Sequence, residues 1–117
     1  MATHDIRRAA RIDIKHNLRE SFVWAGTVVD QDGAAVDLSG KSLVYSIRST
    51  ENGTALFTFT STDGDIGVSG GGNNVITISG TLTGLSGRAY HHDLENLTDN
   101  RMVFDGRLIA GYGAYND

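Results

Sequence analysis

Apolar and polar residues alternate with period two almost everywhere after residue 10, the signature of half-buried strands rather than helices. Ile12 and Ile14 alternate with Asp13 and Lys15. Phe22, Trp24, Gly26 and Val28 then alternate with Val23, Ala25 and Thr27. Asp30-Gln31-Asp32-Gly33 supplies a turn, because glycine accepts a positive φ at no steric cost. Leu43, Tyr45 and Ile47 form the next apolar face, which ends at the polar loop STENGT; residues 56–59 follow, closed by Asp63-Gly64. The run SGGGNN, residues 69–74, separates residues 66–68 from the strand-like residues 75–78 and reads as a hairpin loop. A phosphate-cradling loop would need a lysine and a helix after it, and neither follows. The stretch around residues 83–86 predicts a single helical turn, and residues 90–97, 101–104 and 106–110 supply the last strands.

Strand-like runs at this spacing, with no helical pattern between them, predict an all-β sandwich or small barrel. Trp24, Tyr45, Phe57, Phe59, Tyr90 and Phe104 fall at core or half-core positions of the alternation. Zero proline with 15 glycines agrees with strands joined by tight glycine turns. At 117 residues the chain fits one domain with a genuine core. The division predicted is an N-terminal arm over residues 1–11, a sandwich over 12–111 and a C-terminal tail over 112–117. No apolar run is long enough to span a membrane, and the N-terminal stretch lacks the apolar segment of a secretory signal. Without cysteine there is neither a disulfide framework nor a thiolate metal ligand.

Charge changes the picture. Residues 1–19 carry Arg7, Arg8, Arg11, Lys15 and Arg19 against Asp5 and Asp13, whereas the rest of the chain holds five basic and twelve acidic groups. A basic arm on an acidic body suits head-to-tail contact between copies or docking to an acidic partner. Nucleic acid is not an expected partner, because the body repels phosphate and aromatics do not interleave with the basic residues.

The candidate chemistry gathers in Tyr90-His91-His92-Asp93-Leu94-Glu95. In a strand the two histidines point to opposite faces. Tyr90, His92 and Leu94 then lean inward, while His91, Asp93 and Glu95 face solvent. Two ligands on an outer face do not make a zinc site, which takes three or four converging ligands; His4 and His16 would have to converge from distant strands to complete it. A core His92 with a satisfied ring is the expected outcome. Gly84-Leu85-Ser86-Gly87 lacks the spacing of a nucleophile elbow. Asp30, Asp32, Asp63 and Asp65 sit beside glycines in turns, where aspartate accepts backbone hydrogen bonds. The expectation is therefore no enzyme: no catalytic residue, no metal, no cofactor and no small-molecule substrate. Tyr112 and Tyr115, in the glycine-broken tail, are candidate contact residues, since tyrosine offers large contact area at small entropic cost.

Asp32-Gly33, Val36-Asp37-Leu38-Ser39-Gly40, Ile47-Arg48, Val75-Ile76-Thr77-Ile78, Tyr90 through Glu95, and Asp105-Gly106-Arg107-Leu108 together resemble a recurrent tailed-phage domain. It is the N-terminal, immunoglobulin-like domain of baseplate upper proteins, which is also similar to small free-standing virion proteins. The resemblance covers residues 12–110, with His92 standing where the family pattern carries a second aromatic. It implies a single antiparallel immunoglobulin-like β-sandwich with a basic N-terminal arm. It also implies a structural role in the virion, made in the bacterial host cytoplasm and assembled in symmetric copies on the tail, baseplate or a fibre adaptor.

Its implied partners are other virion proteins and copies of itself, with no membrane involved. Arg7, Arg8 and Arg11 are the expected assembly contacts on the arm, and Tyr112 and Tyr115 on the tail. The family's fibre-bearing extension does not follow Asp117, which favours an adaptor or a capsid decoration protein. A carbohydrate or host-surface module using Tyr112 and Tyr115 is the further alternative, and a metal enzyme on His91 and Asp93 the last.

Overall fold

The computed structural model describes residues 10–30 and 32–111, and nine strands account for its regular structure. The first two are β1 (Ala10–Arg11) and β2 (Ile14–Asn17), followed by β3 (Phe22–Thr27), β4 (Leu43–Arg48) and β5 (Ala55–Thr60). Then come β6 (Ile66–Ser69), β7 (Val75–Gly80), β8 (Ala89–Asn96) and β9 (Arg101–Gly111). One sheet runs β1-β9-β8-β4-β5, with β2 also on β9, and the other runs β3-β7-β6. With β3, β4, β5, β6, β7, β8 and β9 as strands B, C, C′, D, E, F and G, this is the immunoglobulin order of a B-E-D sheet against a G-F-C-C′ sheet.

The alternation predicted from sequence decides which side chains meet between the sheets. Phe22, Leu43, Tyr45, Ile47, Ile76, Ile78, Leu94, Phe104 and Leu108 are all buried. Phe22 of one sheet stacks on Tyr45 of the other, with ring centroids 5.8 Å apart, and Trp24 meets Phe104 edge-on at 5.1 Å. In cysteine-bearing immunoglobulin domains a B–F disulfide packs on a strand-C tryptophan. Here Tyr45 occupies strand C, between Phe22 on strand B and His92 on strand F.

Tyr90 lies two residues before His92, the place of the tyrosine corner at the E–F turn. Its hydroxyl accepts a hydrogen bond from the Ser86 N–H at 2.8 Å and donates to the Ser86 carbonyl at 3.3 Å. This corner replaces the helical turn expected at residues 83–86. Gly84 takes a φ of 85°, which no right-handed helix contains, and Leu82 and Leu85 plug the core on either side. Tyr90→Phe is expected to cost about 1.5 kcal/mol in chemical denaturation, the worth of the two bonds lost.

The antiparallel sandwich holds as expected, with β1 and β2 added parallel to β9. Two further expectations are corrected. Ala10 and Arg11, assigned to the arm, are strand residues level with Phe104 and Asp105. The two closing strands are one, continuous through Asp105-Gly106. The 69–74 hairpin holds as expected: β6 and β7 pair antiparallel, and Asn73 N–H closes the turn on the Gly70 carbonyl.

Candidate functional site at the root of the N-terminal strand

β1 and β2 keep the same register against β9 on either side of Ile12-Asp13. Continued without a break, that ladder would have Ile12 donate to Asp105 and accept from Arg107. The first bond is present, Ile12 N to Asp105 O at 2.8 Å. The second is exchanged. Arg107 N donates to the Asp13 carboxylate at 3.0 Å, and the Ile12 carbonyl turns inward to meet His92 Nε2 at 2.7 Å.

Gly106 permits the exchange. It sits level with His92 on β8, and its φ of 154° lies in glycine territory. A Cβ built there would fall far inside van der Waals contact with the Ile12 carbonyl. Asp105-Gly106, where the alternation divides the closing strand in two, is thus the place where an unbroken strand admits a neighbouring strand's backbone.

His92 is 1% exposed and bonded at both ring nitrogens, with Tyr45 Oη 2.7 Å from Nδ1. A carbonyl only accepts, so Nε2 carries the proton and Nδ1 accepts from the Tyr45 hydroxyl. Neither nitrogen then has a lone pair left for a metal or for proton abstraction. Burial pushes the His92 pKa down, against the Ile12 hydrogen bond and the charges of Asp13, Asp93 and Asp105, which push it up. Burial, and then the Asp93 charge, raise that of the Tyr45 hydroxyl. His16, buried edge-on to Phe22 at 5.2 Å, is also pushed down by burial against the Glu20 charge.

These shifts fix a pH dependence. A histidine whose folded pKa is depressed contributes stability that is complete above its unfolded value, 6.5. That stability drains as pH falls below it, because the unfolded chain takes up the proton first. For His92 the slope approaches about 1.4 kcal/mol per pH unit until the folded group titrates. Unfolding free energy should therefore fall between pH 6.5 and 5, and His92→Leu should flatten the curve.

The outward row of β8 is less open than its pattern suggests. His91, Asp93 and Glu95 are half-buried. Asp93 Oδ2 accepts from Arg48 Nη1 at 2.6 Å across the β4–β8 pair, and its Oδ1 is buried with no hydrogen-bond partner among the described residues. His16 lies on the inner face, away from His91 and Asp93, and no three His, Asp or Glu side chains converge among the described residues. Of the turn aspartates, Asp30 behaves as predicted, accepting from Asp32 N and Ala34 N. Arg11 is exposed on β1, 3.6 Å from Asp13. Arg7, Arg8, Tyr112 and Tyr115 lie outside the described residues. Compared with known proteins, the chain matches no family model and no curated sequence.

Sequence alternation placed His92 indoors but could not name its partners. Ile12 is 80 residues away in the chain and contributes only backbone, which leaves no compositional trace. The tyrosine corner did leave one: a tyrosine on an inward position, four residues after a serine in a glycine-flanked turn.

Proposed function

We propose that the chain is a non-enzymatic structural protein of a tailed-phage particle, a tail, baseplate or fibre-adaptor component working in symmetric copies. The observation that carries the reading is the anchoring of the N-terminal strand. Residues with catalytic reputations, His92, Asp13 and Tyr45, are consumed in fastening residues 10–17 to β9 and the core. Such a clamp gives the preceding arginines, Arg7 and Arg8, a rigid base from which to reach a neighbour. The segments that resemble the phage family do structural work as well. Gly33 N–H donates to the Asp30 carbonyl at 2.9 Å, Leu38 is 1% exposed, and Arg48 is ion-paired to Asp93.

The partners are other virion proteins and further copies of the chain, met through basic arm and acidic body. Exposed charge pairs are screened by salt, so this contact weakens as ionic strength rises. Reversing Arg7, Arg8 and Arg11 to glutamate is expected to abolish incorporation into particles, scored by immunoblot of purified virions. Unchanged incorporation at parental expression would sink the arm-docking reading.

A further inference from the structure

Among the described residues the sheet order β3-β7-β6 leaves β3 with a partner on one side only. Its register against β7 is unbroken from Phe22↔Gly80 to Thr27↔Val75, and one residue on, Val28 N donates to Asn74 O. Bonding alternates along an antiparallel ladder. The even-numbered residues therefore turn their N–H and C=O toward β7, while Val23, Ala25 and Thr27 turn theirs toward the open side. The side chains of the same three residues are exposed. Val23, at 66%, is the most exposed large apolar residue described, and Val29 stands 50% exposed just beyond the strand.

Open strand edges template further pairing unless a bulge, a charge, a proline or shortness blunts them. The other edges are blunted. The β4–β5 ladder shifts register between Ile47 and Arg48, leaving Leu56 of β5 unmatched, β6 has four residues, and the ladder of β1 and β2 on β9 is interrupted at Ile12-Asp13. β3 has none of these devices, and no charge falls between Ser21 and Val29.

We infer that this edge is a self-association surface: two copies pair β3 to β3, antiparallel, about a two-fold axis through Ala25. The row is self-complementary in that register. Ala25 meets Ala25, Val23 meets Thr27, and each open N–H and C=O finds its counterpart. The smallest side chain stands on the axis, and the β-branched pairs flank it, a favoured cross-strand combination. Glu20 of one copy comes level with Asp30 of the other beyond the strand ends, but the Asp30 carboxylate is turned into its own loop. A second copy fits better than a foreign strand because one symmetric operation satisfies both edges at once. The interface is small, so the dissociation constant should be on the order of 10–100 μM.

Self-pairing is a property of the isolated chain and stands apart from its place in a particle. Two acidic bodies repel, so β3 pairing strengthens with salt whereas arm docking weakens, and the two ideas fail separately.

The chain has no cysteine, so one introduced thiol reports one contact. Across a hydrogen-bonded pair the Cα atoms are about 5.5 Å apart, within disulfide reach. Ala25→Cys is expected to give a disulfide-linked dimer under mild oxidation. Val23→Cys or Thr27→Cys alone should not, since each lies about 13 Å along the strand from its own symmetry mate; the two together should cross-link. The parent should sediment as a dimer at about 1 mM. Ala25→Pro, which removes an N–H on the open side only, should be monomeric with an unchanged circular dichroism spectrum. A monomeric parent at that concentration, a folded Ala25→Pro dimer, or single Val23→Cys cross-linking as fast as Ala25→Cys would each overturn the proposal. If Ala25→Pro fails to fold, the cysteine set decides alone.

Discussion

Gly106→Ala should destabilise the protein by about 4 kcal/mol, more than any other single-methyl change. Part is conformational, since a non-glycine residue at φ 154° is strained by about 1–3 kcal/mol. The remainder follows from position. The new methyl would occupy the space of the Ile12 carbonyl, so the strand must lift away from β9. His92 Nε2 and Arg107 N then both lose their acceptors, at about 1 kcal/mol each. Hydrogen exchange should show where the damage begins, with protection lost across β2 before the β4–β8 pair. A denaturation midpoint indistinguishable from the parent would mean that the seam relaxes freely and holds little.

His92→Leu is the second large effect, about 3 kcal/mol. Leucine fills a similar volume but leaves the Tyr45 hydroxyl and the Ile12 carbonyl buried without partners. Tyr45→Phe should cost about 2 kcal/mol, because it orphans Nδ1 alone. The double variant removes both members of that bond, so it should cost about 1–2 kcal/mol less than the sum of the singles. Strict additivity would show that the two side chains do not share a proton.

The two variants also mark the boundary of what the sequence discloses. Alternation is local, and it found the inward faces of β3, β4 and β8, including His92 and Tyr90. Pairing partners are not local. Nothing about Ile14 or Lys15 announces a parallel match with Leu108 and Ile109, because parallel and antiparallel strands alternate alike. The break expected between residues 104 and 106, at Asp105-Gly106, failed for a related reason. The dipeptide is common in turns because glycine accepts unusual backbone angles, and the same freedom serves here to let a foreign carbonyl in. The predicted helical turn failed on a tertiary contact, the Tyr90 hydroxyl, which holds Ser86 in place from the next strand. Arg48 and Asp93 make a similar point. Each looks solvent-facing in its own strand, and only the β4–β8 register brings them to 2.6 Å.

The Tyr-His-His-Asp stretch has three structural tasks. His92 holds the N-terminal strand, Asp93 ties β8 to β4, and Tyr90 sets the corner at which β8 begins. The structural role proposed above rests on that division.

The most direct measurement is immunogold electron microscopy of phage particles released by the encoding strain, with antibody against this chain. The structural-virion reading predicts gold at the tail end of intact particles, at a fixed distance from the tip. Gold over the head would contradict the tail placement and make the protein a capsid decoration; particles that carry no gold, beside labelled lysate, would contradict the virion role altogether.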